Sequence, residues 1–331
     1  MQTRTLGNTQ LRLSEVGFGA WAIGGEGTAF SWGPQDDKDS IAAIQHALEL
    51  GINWIDTAAV YGLGHSEEVV GKAVAGKRKD VIIATKCSQV WNDKREVTQN
   101  LTAASVKREC EQSLKRLKMD MIDLYQIHWP NDNEHLEEGW QAIGELIAEG
   151  KVRYGGVSNF HYDMTNMHRA EKVRHIGSLQ SAYSMMRRLV EKEAFPYCTE
   201  HHIGFLAYSP MQAGLLTGKF DPAKMAANDW RRNSKEHNPP NIAINLDFIE
   251  SLRVIAGKYD KTVAQLAVAW VLRRPEVTSA IVGARRPSQI EETAGGAGWK
   301  ISQSDLEKID ALLEERLERV REAGGYVHPK E

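Results

Sequence analysis

The chain has 331 residues, 42% hydrophobic and 26% charged, with a formal net charge of −3, which suits one large α/β domain and offers no global positive field to attract nucleic acid or an acidic membrane. Three widely spaced cysteines (Cys87, Cys110, Cys198) argue against a disulfide framework, and without a CxxC or HExxH pattern, or a third ligand near His201-His202, no metal is expected. No run approaches the ~18 apolar residues of a membrane span and "MQTRTLGNTQLRL" carries no apolar signal core, so the expected location is cytoplasmic, with no membrane partner.

In chain order, "RTLGNTQLRL" (4–13), with Gly7-Asn8 at its centre, predicts a small hairpin that could plug the floor of a barrel. Strand candidates follow at 15–20 ("EVGFGA"), 53–56 ("NWID"), 80–86 ("DVIIATK") and 121–128 ("MIDLYQIH"). Four more lie at 152–158 ("VRYGGVS"), 178–183 ("SLQSAY"), 204–209 ("GFLAYS") and 278–283 ("TSAIVG"). Amphipathic segments separate them. In "DKDSIAAIQHALELG", Ile41, Ile44, Ala47 and Leu48 mark one face and Gly51 ends the helix. "VTQNLTAASVKRECEQSLKRLKM" closes on Lys115, Arg116 and Lys118, where the helix dipole favours cations, and these read as a solvated helix end. The segment from Thr217 to Asn245, with Pro222, Pro239 and Pro240, is too long for a simple connector and reads as a functional loop after strand seven.

Short, nearly all-apolar strands alternating with helices imply a parallel sheet covered by helices. Eight such units point to a (β/α)8 barrel spanning 1–331 as one domain. The doubly wound alternative is disfavoured, because no helix directly follows the glycine-rich "GFGAWAIGG" and no acid stands at ribose spacing.

In a barrel of this kind the active site lies at the carboxyl ends of the strands. Strand two ends in Asp56, with Tyr61 on the turn that follows; strand three ends in Lys86 and strand four in His128. Taken singly, these read as a turn cap, a solvated lysine, a core histidine and a packing tyrosine. Together they form a coherent set. A free phenol titrates near ~10, and a neighbouring ammonium is expected to stabilise the phenolate and lower that value. Asp56 is the natural counter-charge for a buried Lys86, and His128 can hydrogen-bond beside the tyrosine oxygen. Such a set delivers a proton to an oxygen that is becoming negative, as carbonyl reduction requires. Cys87, beside Lys86 on a strand, points the other way and is expected in the core.

The blocks "GINWIDTAAVYGLGHSEEVVGKAV", "IIATK", "DLYQIHWP", "GKVRYGGVSNF" and "AYSPMQAGLLTGK" resemble the signature blocks of the aldo-keto reductases. The resemblance runs from about Arg4 to Leu317 and is strongest to bacterial members related to potassium-channel β-subunits. It implies a (β/α)8 barrel, NADPH as cofactor with NADH not excluded, and a small-molecule carbonyl substrate. It implies a catalytic tetrad of Asp56, Tyr61, Lys86 and His128, with Tyr61 as proton donor. By the same resemblance Ser158, Asn159 and Gln180 hold the nicotinamide carboxamide, for which amide side chains supply donor and acceptor together. Tyr208 stacks on the nicotinamide; Trp21 also falls among the cofactor contacts, and Ser209, Pro210, Met211, Gly214, Leu215 and Lys219 follow the pyrophosphate. Gly283, Arg285, Gln289, Glu292 and Thr293 occupy the positions around the adenosine 2′-phosphate, with Arg286 close by. A solvated-loop reading of Arg285 and Arg286 competes with that assignment. Many members carry lysine at Gly283's position, arginine at Gln289's and asparagine at Thr293's, and the last departure weakens an adenine contact.

Trp21, Trp32, Trp91 and Trp129 fall on the loops after strands one, three and four and are expected to give the substrate pocket aromatic walls, with Trp32, Trp91 and Trp129 as substrate contacts. In the tail "AGGYVHPKE", Tyr326 or His328 would fold over the mouth or fray. Two other readings compete. A cofactor-sensing subunit resembling the channel β-subunits typically has asparagine at His128's position. A phosphosugar aldolase or isomerase on the same barrel would need a Schiff-base lysine, which Lys86 could supply, or metal ligands, and would leave "SNF" and "SPMQAGLLTGK" unexplained. No oligomeric state follows from the sequence.

Overall fold

The short apolar runs are strands that pair in sequence order and close on themselves. The computed structural model describes residues 1–26, 31–225 and 229–328. Its barrel consists of β3 (Val16–Gly19), β4 (Trp54–Asp56), β5 (Ile82–Cys87), β8 (Ile122–Ile127), β9 (Val152–Ser158), β10 (Ser178–Ala182), β11 (Gly204–Tyr208) and β12 (Val277–Gly283), all parallel. The pairs Val282↔Phe18 and Gly283↔Gly19 close the ring.

Among the described residues eight helices cover this sheet: α1 (Asp37–Glu49), α2 (His65–Ala73), α3 (Ala103–Leu117), α4 (Leu136–Ala148), α5 (Met164–Val173), α6 (Ala194–Glu200), α8 (Val263–Leu272) and α9 (Pro287–Ala294). Two more, α7 (Asn241–Gly257) and α10 (Gln303–Glu322), pack on each other outside the repeat. Helix α1 starts where Asp36 accepts the Lys38 amide at 2.6 Å; Ile44 and Ala47 are fully buried, and Ile41 and Leu48 pack on the core from its edge. No helix among the described residues is long and apolar enough to cross a membrane.

Two expectations need correction. The helix predicted from Val97 starts only at Ala103. Asn100 accepts the Thr102 amide at 3.0 Å, and Thr102 in turn caps the first turn through Ser105. These side-chain bonds offer the backbone an alternative to an earlier helix start. Val97–Gln99 instead forms β7, antiparallel to β6 (Gln89–Trp91), making a hairpin above β5. The loop after β11 is also shorter than expected. Helix α7 takes residues from Asn241 onward with Pro240 at its N-cap, and residues 226–228 of that loop lie outside the described residues.

The amino-terminal hairpin pairs β1 (Thr3–Thr5) with β2 (Arg12–Ser14) and sends Leu6, Leu11 and Leu13 into the barrel floor against Trp54, Leu124 and Leu206. Burying each leucine stabilises by about 1.5–3 kcal/mol. Gly17 leaves room for this layer, since a Cβ there would come within 2.1 Å of the Trp54 ring. Arg4 fastens the hairpin to Glu15 at 2.8 Å and to the Val277 carbonyl at 2.6 Å. At the other terminus, Asn241 exchanges two hydrogen bonds with the Tyr326 backbone, and His328 stacks against Tyr162, which stacks on Trp129 beside the barrel mouth. The tail is therefore tied down at least to His328; residues 329–331 lie outside the described residues.

Candidate active site

Each barrel strand that ends in a polar residue points it into the barrel by the two-residue alternation of a strand. Asp56, Lys86 and Gln180 are almost completely buried, and His128 is 8% exposed. Lys86 Nζ donates to Asp56 Oδ2 at 2.6 Å, to the Thr57 carbonyl at 2.8 Å and to Tyr61 Oη at 3.3 Å. All three ammonium protons are thereby used. Asp56 Oδ1 accepts from Gln180 Nε2 at 2.7 Å and, more weakly, from Gln126 Nε2 at 3.5 Å. The rings of Tyr61 and His128 meet edge-on with centroids 5.6 Å apart. The four residues singled out in the sequence do converge.

Their electrostatics differ from expectation in one respect. Burial, reinforced by the Asp56 charge, holds the Tyr61 phenol well above its ordinary value instead of lowering it. The Lys86 charge lies closer to Asp56 than to the phenol and is largely spent there. Burial lowers Lys86 itself, against the opposing pull of Asp56. Burial, and then the Lys86 charge, holds His128 well below the usual imidazole range, so it stands neutral. Burial pushes the Cys87 thiol up, as expected of a core cysteine.

Above these residues lies a cavity of about 1190 Å³. It runs from Asp56, Tyr61, His128 and Trp129, past Tyr208 and Gly214, to Arg286 and Glu292. A second amide network lines it: Asn159 donates to the His128 carbonyl at 3.0 Å and to Ser158 Oγ at 3.1 Å, and accepts from Tyr208 Oη at 2.8 Å. Beyond Tyr208 the backbone turns left-handed at Ser209 (φ 54°), Gln212, Ala213 and Gly214 (φ 96°). Such a run of non-glycine positive φ is costly and clusters at ligand sites.

Pro210, Met211, Lys219, Gly283, Arg285, Gln289 and Thr293 also line the cavity, as do Trp21 and Trp32. Of the expected cofactor and substrate contacts, two do not reach it. Leu215 is fully buried in the core. Trp91, on β6, lines a separate cleft, where its ring meets Arg116 at 5.9 Å, because the hairpin turns it away from the mouth. Arg285 is held within the protein, donating to Gln35 Oε1 at 2.5 Å and to the carbonyls of Trp32 and Pro34. Arg286 is exposed, and among the described residues its side chain makes no hydrogen bond or ion pair. Thr293 bonds its hydroxyl back to the Gln289 carbonyl at 3.0 Å. Lys219 and Glu292 join at 2.6 Å, and Glu292 Oε1 is buried without a partner, an acceptor suited to a nucleoside amine or hydroxyl.

Sequence reasoning missed Gln126, Arg95 and Arg231. Gln126 had a signal, since it lies two residues before His128 on the same inward face. Arg95 and Arg231 enter the cavity from loops that carry no periodic pattern. Arg231 is anchored to Asp229 at 2.5 Å and covers the Trp32 ring at 4.7 Å.

The Aldo/keto reductase family model matches residues 15–314. The aldo-keto reductase YhdN of Bacillus subtilis is 37% identical over 96% of this chain and 95% of its own length. The NADH-specific methylglyoxal reductase of Escherichia coli is 33% identical over 96% of this chain and all of its own. Among solved structures, the glycerol dehydrogenase AKR11B4 of Gluconobacter oxydans superposes with a TM-score of 0.86 at 34% identity, covering 99% and 98% of the two chains. An aldo/keto reductase of Klebsiella pneumoniae in complex with NADP and acetate does so with 0.72 at 29%, covering 95% and 96%. Matched along nearly its whole length, this chain belongs to the aldo/keto reductase family.

Proposed function

We propose that the protein is a nicotinamide-dependent carbonyl reductase that prefers NADPH and converts small aldehydes, α-dicarbonyls or sugar-derived carbonyls to alcohols. It acts as a single barrel domain across 1–331. The observation that carries this reading is the use of all three Lys86 protons: one goes to Tyr61 Oη, so that oxygen accepts and its own proton is free for a partner in the cavity.

Bound along the cavity, the cofactor would supply the hydride that reaches the carbonyl carbon. Tyr61 gives its proton to the carbonyl oxygen as negative charge develops there. Lys86 then steadies the phenolate left behind, Asp56 keeps Lys86 in place, and solvent restores the proton to Tyr61. The high resting pKa of Tyr61 keeps the proton loaded at neutral pH. Neutral His128 offers a ring N–H or lone pair to orient the carbonyl. Ser158, Asn159 and Gln180 would hold the carboxamide and Tyr208 the ring, while Gly214, Lys219 and Glu292 follow the remainder of the cofactor. Trp21, Trp32 and Trp129 would form the substrate walls.

Methylglyoxal and glycerol, named for two of the relatives, are small and polar, which supports a small oxygen-rich substrate. The NADP bound by one relative supports the NADPH preference, and the NADH specificity of another makes NADH the comparison in the test. Three free, buried thiols agree with a reducing cytoplasmic compartment. The test is NADPH and NADH oxidation by purified protein against methylglyoxal, glyceraldehyde and aromatic aldehydes. Tyr61→Phe should lower turnover by about 10²–10⁴-fold with cofactor binding intact. Turnover retained in that variant overturns the assignment, and tight cofactor binding without turnover of any carbonyl would favour a sensing role.

A further inference from the structure

Behind the β6–β7 hairpin a second cleft, of about 640 Å³, opens between α2 and α3. Arg108, Gln112 and Lys115 succeed one another at four and three residues, so they share one face of α3 and extend about 10 Å along it. Lys118, at the C-cap, continues the row. Arg108, Lys115 and Lys118 are exposed, and among the described residues none of them meets a carboxylate at ion-pair distance. The other two cations of the cleft are already matched: Lys72 by Asp37 at 3.3 Å and Arg116 by Glu67 at 2.6 Å. Lys115 and Lys118, expected at a solvated helix end, are exposed and also line the rim of this cavity.

The floor of this cleft holds an acid that the proposed chemistry does not use. Glu109 sits on the buried face of α3, 4% exposed, where the helical period calls for an apolar residue. Its Oε1 accepts from Ser105 Oγ at 3.0 Å and the Ser88 amide supports the carboxylate, but Oε2 is buried with no hydrogen-bond partner. Burial pushes this carboxyl up to about 7, the mark of an acid short of donors. A buried acceptor left unmade is expensive, and in a native protein it calls for an explanation. Exposed Glu68 is the second acid of the lining, so the site does not simply collect anions: it pairs a cationic rim with an acceptor at depth. Trp91 adds an aromatic wall.

We propose that this cleft is a second ligand site that takes a small organic phosphate, its dianion on Arg108, Lys115 and Lys118 and a hydroxyl or ring N–H donated to Glu109 Oε2. A phosphorylated sugar and a nucleoside monophosphate share this chemistry. The occupant would lie close to the catalytic loop, because Gln89 lines both cavities and Ala59, two residues before Tyr61, also lines the cleft.

Calorimetry on the intact protein with AMP, glucose 6-phosphate and inorganic phosphate tests this. One of the two organic phosphates should bind at least tenfold more tightly than inorganic phosphate, and which of them does so separates nucleotide from sugar. Lys115→Ala with Lys118→Ala, two exposed side chains whose loss leaves the core untouched, should weaken that binding at least tenfold. Glu109→Leu should reduce it to the level of inorganic phosphate, and Arg286→Ala, in the large cavity, should leave it unchanged. The proposal is overturned if neither organic phosphate binds better than inorganic phosphate. It is equally overturned if binding survives the double lysine variant, or is lost in Arg286→Ala.

Discussion

At the floor of the barrel Trp54, Ala84, Leu124, Leu206 and Ile281 close an apolar layer around the amino-terminal hairpin. Two residues further along the same five strands stand Asp56, Lys86, Gln126, Tyr208 and Gly283. The backbone, the inward direction and the ring of strands are the same, but the lower layer is filled with side chains and the upper one holds an ion pair, an amide, a phenol and an opening. The lower layer supplies burial energy. The upper layer takes two charges out of water, which costs several kcal/mol per ion before their attraction repays it. A barrel can tolerate such a pair because the layer beneath holds the strands in register.

Substituting one residue in each layer separates their roles. Lys86→Met leaves Asp56 buried without its counter-charge, so it should lose about 3–5 kcal/mol of stability and also about 10²–10⁴-fold in turnover. Leu124→Ala in the floor should cost a similar 2–5 kcal/mol while turnover of the folded protein stays within about twofold. Chemical denaturation beside a cofactor-oxidation assay measures both. Equal losses of turnover in the two variants would erase the distinction between the layers.

The next effect is a pH dependence confined to the upper layer. His128 is depressed in the folded state by burial and by Lys86, so below about pH 6.5 the unfolded chain holds more protons at this position than the folded one. Its contribution is therefore full above that pH and is lost as pH falls through the folded value. Melting temperatures of wild type and His128→Asn, compared from pH 8 to pH 4, should diverge on the acid side, with the wild type losing more. His237, which burial lowers to about 4, is common to both proteins and cancels. Parallel melting curves would mean that His128 is not the group responsible.

The smallest expected effect lies at the far end of the cavity. Arg286→Ala should weaken NADPH roughly tenfold, about 1.4 kcal/mol, with little change for NADH. Arg285→Ala should weaken both cofactors alike, because Arg285 ties down the segment at Trp32, Pro34 and Gln35. Cofactor titrations of the two variants would reverse the assignment if Arg285→Ala alone discriminated.

Much of this arrangement was legible because it is local. The two-residue step that brings Asp56, Lys86 and His128 inward can be counted along each strand, and the strand ends fall within about two residues of their expected places. Gln126 obeys the same count. The β6–β7 hairpin was not legible. Val97 and Thr98 fit the edge of a helix as well as a strand, and only pairing with Val90 and Trp91 decides between them. That pairing also turned Trp91 outward, toward the cleft that collects Arg108 and Lys115.

By itself the sequence determined the alternation of strands and helices, and hence which residues stand at the strand ends, since strand and helix periods are properties of neighbouring residues. The sign of the Tyr61 shift, the internal role of Arg285 and the unsatisfied oxygen of Glu109 were decided only by the tertiary structure. Desolvation and hydrogen-bond partnership depend on what lies within a few ångströms in space, and for these residues those neighbours come from distant parts of the chain.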